Sequence, residues 1–325
     1  CAISHVKEVT VTEGSYKGFT GEEPEYEQLS AWGPQVGNTD LGATVMLTRE
    51  VDRLGLDCTE ASCAIGWAME CFEKGVFTQS ETGGLDLSWG NVEAVREMLG
   101  RIARREGYLG NLLAEGVMRA SRHVGGPAAD WAIYTMKGFT PRGHDHRGGG
   151  RWPELFDTCV SDTGTIQASW SGIHPQFVDR PPLEDAFDHA QVSRVVGDFA
   201  GYRTFDDCLG VCRLAAPHPK PLLACFNAVT GWGWTLEDAQ RAGLRVITAL
   251  RLFNLRHGHD PENERPSVRY GSVTGAGPAE AGDIIFGKLA DMDEEKRRRY
   301  RRVYHKLCDF EGYLSELSVN PDPYS

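Results

Sequence analysis

Two short segments of the sequence share a residue pattern that could bind a ligand. Asp52-Arg53-Leu54-Gly55-Leu56-Asp57 and Asp207-Cys208-Leu209-Gly210-Val211-Cys212 both read Asp-x-Leu-Gly-aliphatic, followed by Asp or Cys. Each follows a predicted helix, and the glycine lets the chain leave that helix in a left-handed turn. Carboxylates beside such a turn can accept hydrogen bonds from amino and ring N–H groups, as on a pterin or guanine edge. The alternative is two ordinary helix ends, and the spacing alone does not name a ligand.

The elements that would position these segments are predicted to be helices. Apolar and small residues recur near the 3.6-residue period over residues 40–55, 60–74, 92–103, 111–124, 184–202, 236–253 and 294–307. Residues 1–34 favour strands and loops. Residues 138–182 are rich in Gly, Pro, His, Asp and Trp without a clear period, and an irregular stretch of that length is usually functional. The predicted fold class is mainly α, with few short strands.

Composition limits the class of protein. The chain has 325 residues and a net charge of −12, with 41% hydrophobic and 25% charged residues, which is typical of a globular protein of about two domains. No apolar run reaches the roughly 18 residues of a membrane helix. The acidic charge disfavours nucleic acid, so neither nucleic acid nor membrane is an expected partner. Nine cysteines, an odd number, indicate a reducing, cytoplasmic location. Five of them are expected in the core: Cys63, Cys71, Cys159, Cys225 and Cys308.

The sequence resembles the tungsten-dependent aldehyde ferredoxin oxidoreductases over essentially its whole length, as the two helical C-terminal domains of that family. The resemblance rests on the order and spacing of short segments at residues 24–27, 52–57, 68–70, 73–75, 89–91, 105–107, 113–116, 145–148, 207–212 and 251–255. It implies a pterin- and cluster-binding domain at 1–137 and a domain with the active-site loop at 138–325. It also implies that the N-terminal β domain of the family is missing from this chain.

The resemblance implies two cofactors, a tungsten (or molybdenum) bis-pterin and a 4Fe–4S cluster. Each of the two Asp-x-x-Gly segments of the family binds one pterin. Asp52, Leu56 and Asp57 would therefore contact one pterin, and Asp207 and Val211 the other.

The resemblance also implies the ligands of the cluster. Cys212 ends the second segment and would bind iron, and Cys1 matches the middle cysteine of a Cys-x-x-Cys-x-x-x-Cys motif. His5 stands where that motif has its last cysteine, and imidazole can ligate iron in such clusters. A different fourth ligand is the alternative to His5.

Two residues are candidates for proton transfer. Glu27 matches a family glutamate near the tungsten, and a buried carboxylate with a raised pKa can act as acid or base. A family histidine near the metal has no match at residues 161–166. His174 is the expected substitute, with His144 and His146 as alternatives.

Three functions are compatible with this sequence. The first is an oxidoreductase that converts an aldehyde to a carboxylate and passes electrons to ferredoxin or an iron–sulfur subunit. The second is the active-site subunit of a low-potential aromatic acyl-CoA (benzoyl-CoA) reductase of the same family. The third is a non-catalytic assembly subunit. The substrate would be a small molecule in each enzymatic case, and the assembly a homo- or hetero-oligomer.

Overall fold

A computed structural model describes residues 7–141, 146, 152–162, 175–185, 188–212 and 218–271, which form two compact units. The N-terminal unit contains residues 7–141 and 266–269, and the C-terminal unit contains residues 146–265 and 270–271. The family domains at 1–137 and 138–325 stay a prediction. The mainly α fold class is confirmed.

The N-terminal unit is a helical body with one small hairpin. Strand β1 (Glu8–Thr10) pairs antiparallel with β2 (Thr20–Glu22). Its helices are α1 (Tyr26–Trp32), α2 (Leu41–Leu54), α3 (Cys58–Glu73), α4 (Val92–Arg104), α5 (Gly107–Leu113), α6 (Val117–Val124) and α7 (Gly126–Trp131), with a 3-10 turn at Pro34–Val36.

Helix α3 forms the centre of this unit, and its residues Ala61–Met69 are all buried. Helix α4 packs only one face inward, the stripe Val95, Met98, Leu99 and Ile102, as its period predicts. Burial of such stripes removes apolar surface from water and is the main stabilising contribution to a helical body.

Two predictions for this unit are wrong. The helix predicted over 111–124 is interrupted, because Gly116 has φ +84° and separates α5 from α6. A Cβ at that position would lie 2.9 Å from Glu60 Oε1, so the break also makes room for a side chain of α3. Helix α1 lies in the region predicted as strands and loops; its seven residues are too few for a periodic pattern.

The C-terminal unit contains four α-helices among its described residues. They are α8 (Trp152–Val160), α9 (His189–Cys208), α10 (Pro219–Thr230) and α11 (Leu236–Arg256), with 3-10 turns at Pro175–Val178 and Pro261–Asn263; a further one, Val268–Gly271, lies at the end of the described chain. Helices α9 and α11 approach so closely that a Cβ on Gly243 would overlap the carbonyl of Gly201. Two glycines thus set the packing of the longest helix pair.

Several helices of this unit differ from expectation. Helix α8 lies within the predicted irregular stretch, and its residues Leu155–Cys159 are all buried, the polar Asp157 and Thr158 included. Helix α9 begins after Asp188, which caps it through Gln191 N at 3.1 Å, and extends six residues beyond the predicted end. Helix α10 was not predicted. The helix predicted over 294–307 lies outside the described residues.

The cysteine predictions are largely confirmed. Cys63, Cys71 and Cys159 are buried among apolar side chains. Cys225 is exposed on α10, so its assignment to the core is wrong. Cys308 lies outside the described residues.

Candidate functional site

The Asp52–Asp57 segment is a tight turn between α2 and α3. Gly55 ends α2 in the left-handed conformation, with φ +67°. The amide of Gly55 donates to Asp52 O at 3.0 Å, and the amide of Leu56 donates to Val51 O at 3.2 Å. This pair of hydrogen bonds is the Schellman arrangement, which requires a residue that tolerates positive φ.

The Asp207–Cys212 segment forms the same turn at the end of α9. Gly210 has φ +65°. Its amide donates to Asp207 O at 3.0 Å, and the amide of Val211 donates to Asp206 O at 3.4 Å. The two hydrogen bonds therefore join equivalent positions in both segments.

Exposure also repeats along the two turns. In each turn the first, second, fourth and sixth residues are exposed, and the third and fifth are half-buried. The exposed first residues are the carboxylates Asp52 and Asp207. The half-buried fifth residues are Leu56 and Val211. The two copies of the sequence pattern thus fold into the same turn, one in each unit, and we call them the α2 turn and the α9 turn. The hydrogen-bond pair alone is not specific to them, since it also ends α3 at Gly75 and α11 at Gly258.

The two turns differ at their last residue. Asp57 caps α3, since its Oδ1 accepts from Glu60 N at 2.7 Å. Cys212 is exposed, and so is Cys208 in the same turn. Cys58, next to Asp57, is half-buried, unlike Cys212 and Cys208. Burial is the largest cause that raises its pKa to about 12, and the charges of Asp57 and Asp52 raise it further. Cys58 therefore stays a thiol at neutral pH, whereas the metal-binding form is the thiolate.

Both turns have the chemistry and the space that a pterin would need. The positions where a Cβ would stand on Gly55 and Gly210 have no atom within 4 Å, so a flat group can approach the backbone there. The exposed carboxylates of Asp52 and Asp207 can accept from the N–H groups of such a ring. The assignment of Asp52, Leu56, Asp57, Asp207 and Val211 to pterins stays a prediction that these features suit.

Glu27 lies in the first turn of α1 and is half-buried. Helix α1 packs against both α2 and α3, the two helices joined by the α2 turn. The fold therefore places Glu27 on an element in contact with both sides of that turn. Its catalytic role stays a prediction.

Three predicted site residues cannot be placed. His174, Cys1 and His5 lie outside the described residues. Among the residues that are described, no group of three or more His, Cys, Asp or Glu side chains converges as a metal site. The proposed cluster ligand Cys212 is thus placed without its proposed companions.

Glu60, which the sequence analysis did not single out, connects three distant segments of the N-terminal unit. Its Oε1 accepts from Val117 N at 2.6 Å and its Oε2 from Thr140 N at 3.0 Å. Burial raises its pKa, against the lowering effect of these hydrogen bonds. This carboxylate fixes residue 140, at the start of the stretch predicted to be functional.

The C-terminal unit buries several ionisable side chains. Those with a formal charge or an imidazole at 6% exposure or less are His146, Glu154, Asp157, Arg203, Asp206 and Glu264. His146 Nε2 lies 4.0 Å from Glu154 Oε2, and its ring meets Tyr270 edge-on. His146 is one of the alternatives to His174. A buried imidazole beside a carboxylate is a suitable proton carrier.

A second charged group joins α11 to its neighbours. Arg251 pairs with Glu264 and lies 3.5 Å from Asp162 Oδ1, and His259 Nε2 is 2.9 Å from Glu264 Oε1. Burial acts to lower the pKa of Arg251, but the hydrogen bond and charge of Glu264 outweigh it and raise the pKa. Arg251 belongs to a segment that carries the family resemblance. Asp162 and Glu264 were not recognised from sequence.

The third charged group is the ion pair of Arg203 and Asp206, one turn apart on α9. Arg203 Nη1 lies 3.3 Å from Asp206 Oδ2, and both residues are 1% exposed. The i, i+3 spacing of opposite charges was the available sequence signal, but it usually indicates a solvated helix face.

Comparison with known proteins gives the family. The family model for aldehyde ferredoxin oxidoreductase, domains 2 and 3, matches residues 1–304. A tungsten-containing aldehyde ferredoxin oxidoreductase of Pyrococcus furiosus is 31% identical over 252 residues, which is 75% of this chain and 40% of that protein. The WOR-like subunit of an aliphatic sulfonate oxidoreductase from the same organism is 26% identical over 265 residues, 80% of this chain and 39% of that protein. The chain thus spans about 40% of the length of these relatives.

A solved structure has the same fold. The active site complex BamBC of benzoyl coenzyme A reductase, in complex with 1,5-dienoyl-CoA, superposes with a TM-score of 0.64 at 18% identity, over 98% of this chain and 53% of that one. No described helix of the present chain is long and apolar enough to span a membrane. Because the family model covers nearly the whole sequence, the chain belongs to the aldehyde ferredoxin oxidoreductase family, as its domains 2 and 3.

Proposed function

We propose that the chain is the cofactor-binding part of an oxidoreductase that oxidises an aldehyde to a carboxylate, with electrons passed to ferredoxin. The observation that carries this proposal is the pair of matched turns, which present equivalent carboxylates and glycines from two separate units. The names of the sequence relatives support a tungsten cofactor and an aldehyde substrate.

The α2 turn would bind one pterin and the α9 turn the other. Asp52 and Asp207 would accept hydrogen bonds from ring N–H groups, and the backbone at Leu56 and Val211 would contact the ring. Asp57 keeps Oδ2 for a further donor, because its bond to the Glu60 amide uses Oδ1. The Cys212 thiolate would ligate the 4Fe–4S cluster, with Cys1 and His5 as companions.

When bound, the tungsten–pterin group supplies two-electron redox chemistry and Lewis acidity, and the cluster passes single electrons onward. The overall reaction converts an aldehyde and water to a carboxylate, three protons and two electrons. Glu27 would take up a proton at its carboxylate as water adds to the carbonyl carbon. His174 is the second candidate for this role, and His146 is the alternative to His174.

The first experiment tests the turns in the natural full-length protein. Asp52→Asn combined with Asp207→Asn should lower bound tungsten and pterin together, since each loses a charge-assisted hydrogen bond of about 1.5–3 kcal/mol. Asp130→Asn is the control, because it changes an exposed carboxylate that belongs to neither turn. Full tungsten and pterin content in the double variant would show that the turns are only helix ends.

The second experiment tests the cluster. Cys212→Ser should remove iron and sulfide, because a hydroxyl is a poor substitute for a thiolate ligand of iron. Cys208→Ser is the control, since it changes an exposed cysteine of the same turn. Unchanged iron in Cys212→Ser would exclude Cys212 as a ligand.

A second candidate function is reduction of an aromatic acyl-CoA. The observation in its favour is the likeness of fold to the benzoyl-CoA reductase complex, which covers 98% of this chain at a TM-score of 0.64. Assays against aldehydes with a viologen acceptor, and against aromatic acyl-CoA with a strong reductant, separate the two reactions. Absence of tungsten and iron from the full-length protein would instead favour a non-catalytic assembly subunit.

A further inference from the structure

An open cleft of the N-terminal unit lies between the hairpin, α2 and α4. Its volume is about 440 Å³, within the range of small-molecule sites. Residues 18–20 form one wall, and the charged side chains that line it are Arg49, Glu50 and Arg53 of α2 and Arg96 of α4. In a chain with 46 acidic and 34 basic residues, this lining reverses the sign of the local charge. A cleft lined mainly by one sign of charge attracts ligands of the opposite sign.

Arg49 is held in the cleft by contacts that leave its charge unpaired. Its Nη1 donates to Thr20 O at 2.5 Å, and its Cζ lies 5.8 Å from the centroid of the Phe19 ring. No carboxylate of the described residues pairs with this guanidinium. Because a guanidinium has five N–H donors and Thr20 O takes one of them, donors remain for a ligand.

The other charges of the cleft do not cancel that of Arg49. Arg53 forms two hydrogen bonds to Glu50, Nη2–Oε1 at 2.6 Å and Nε–Oε2 at 3.1 Å, so the charge of Glu50 is matched within the pair. The Arg53 hydrogen bond is the largest cause that lowers the pKa of Glu50, and the charges of Arg53 and Arg96 add to it. Arg96 Nη1 is 4.0 Å from Glu93 Oε2, and that glutamate is 69% exposed, so the pair is weak. Arg49 and Arg96 therefore contribute two largely uncompensated positive charges.

The stability of the fold does not account for this arrangement. Arg49 and Arg53 are four residues apart on α2, and like charges at that spacing destabilise a helix. Arg96 adds a third charge of the same sign from α4. The cleft also has an apolar part, formed by Phe19 and Met46. Unpaired guanidinium groups beside an apolar surface are the features of a site for an anion with an organic part.

We propose that this cleft binds a small organic phosphate monoester, with its phosphate on Arg49 and Arg96 and its organic part against Phe19 and Met46. A phosphate monoester carries a charge of about −1.5 to −2 at neutral pH, which matches the two uncompensated arginines. The planar fork of a guanidinium also fits two phosphate oxygens at once. The site does not depend on the proposed pterin and iron sites, although Arg53 belongs to both the cleft and the α2 turn.

The experiment is isothermal titration calorimetry on the natural full-length protein at low ionic strength, since salt screens exposed charges. The probes are phenyl phosphate, inorganic phosphate and phenyl sulfate. Phenyl phosphate should bind most tightly. Inorganic phosphate lacks the ring, and phenyl sulfate has the ring but only one negative charge, so both should bind more weakly.

Two substitutions locate the binding. Arg49→Gln and Arg96→Gln should each weaken phenyl phosphate binding by about tenfold or more, because each removes a charge-assisted hydrogen bond. Arg104→Gln is the matched control, since it changes an exposed arginine of α4 that does not line the cleft. The control should bind as wild type does. Tungsten and pterin content, measured on the same samples, should be unchanged in all three variants.

Several results would contradict this inference. Absence of phenyl phosphate binding, equal affinity for phenyl sulfate, or wild-type affinity in both cleft variants would each exclude the site. An equal loss in Arg104→Gln would show a general effect of net charge. A lower tungsten or pterin content in the cleft variants would assign the cleft to the cofactor, and a changed assembly mass would assign it to a partner subunit. If Arg49→Gln does not fold, because it also loses the Thr20 contact, Arg96→Gln decides alone.

Discussion

The two units differ in what they bury. The buried polar side chains of the N-terminal unit are neutral: Asn38, Thr44, Thr48, Ser62, Thr82, Ser121, Thr135, Thr140 and Ser267. Every buried side chain with a formal charge or an imidazole, among the residues described, belongs to the C-terminal unit. Both units nevertheless carry the same exposed turn.

This difference indicates that the two units have different roles. Isolated charges are expensive to bury, and their pKa values are sensitive to their surroundings, so clusters of them are typical of functional sites. The N-terminal unit resembles a conventional helical core that presents one turn. The C-terminal unit combines its turn with a body that buries ionisable groups, which can hold charge or move protons.

Glu27 provides the largest test of this comparison, because it is a half-buried carboxylate in the unit whose fully buried polar side chains are all neutral. Glu27→Gln keeps the shape but cannot accept a proton. We expect turnover of the full-length enzyme to fall by about 10²–10⁴-fold, the usual contribution of a general acid or base, with tungsten and iron content unchanged. Glu73→Gln, an exposed carboxylate on α3, is the control. Normal turnover in Glu27→Gln would show that another residue transfers the proton, and His174 and His146 would be the next candidates.

The charged interior of the C-terminal unit should be costly to disturb. Glu264→Ala removes the partner of Arg251 and His259. Removal of one member of a fully buried pair costs about 3–5 kcal/mol. Arg251 is 31% exposed, so we expect a loss of about 2–3 kcal/mol in the free energy of unfolding.

The matched control is an ion pair of the N-terminal unit. Glu97→Ala breaks the pair with Arg101 at 2.9 Å, whose glutamate is 47% exposed. That change should cost less than about 0.5 kcal/mol, which urea denaturation can distinguish from the effect of Glu264→Ala. If Glu264→Ala and Glu97→Ala lowered the free energy of unfolding equally, the two ion pairs would contribute equally to stability, and the proposed difference between the units would be wrong.

Glu60 is a partly buried carboxylate of the N-terminal unit with a raised pKa. The effect of its replacement on the free energy of unfolding should therefore depend on pH. Glu60→Gln retains one acceptor oxygen for two backbone amides, so one of them loses its partner at a cost of about 1–3 kcal/mol. Because the pKa of Glu60 is raised, the folded state binds this proton more tightly than the unfolded state does.

The sign of the pH effect follows from that tighter binding. The stability that wild type gains from the raised pKa of Glu60 is fully present below the unfolded pKa of about 4.3 and is lost as pH rises through the folded pKa. The difference in unfolding free energy between wild type and Glu60→Gln should therefore shrink from about pH 4.5 toward neutrality. Glu73→Gln should show no such trend. A difference that grows with pH would mean that the carboxylate is stabilised in its charged form.

Helices were predictable where a periodic stripe of apolar or small residues marked them. Such stripes identified α4, which has one exposed face, and α2, whose residues Gly42–Thr48 are all buried. The two turns were recognisable because few residues other than glycine adopt positive φ at a helix end. Helix α8 buries the polar residues Glu154, Asp157 and Thr158 together with its apolar ones, so its sequence does not indicate a core helix. Arg203 and Asp206 could not be placed inside, because charged residues are nearly always at the surface unless paired, and the pairing is visible only in three dimensions.

The smallest effect concerns Thr48, which occupies in α2 the position that Arg203 occupies in α9. Its side chain is 2% exposed, and its hydroxyl has no hydrogen-bond partner among the described residues. Thr48→Val replaces that hydroxyl with a methyl group and removes the cost of burying it. We expect the free energy of unfolding to rise by up to about 1 kcal/mol, seen as a higher urea midpoint at unchanged slope.

Thr44→Val, one turn earlier on α2, is the matched control. The Thr44 hydroxyl accepts from Asn38 Nδ2 at 3.2 Å and donates to Asp40 O at 3.3 Å. Its loss should cost about 1–2 kcal/mol. If Thr48→Val lost as much as Thr44→Val, the hydroxyl of Thr48 would have a buried partner such as water. A gain in Thr48→Val with unchanged tungsten content would instead show that the α2 turn needs no polar side chain at this position.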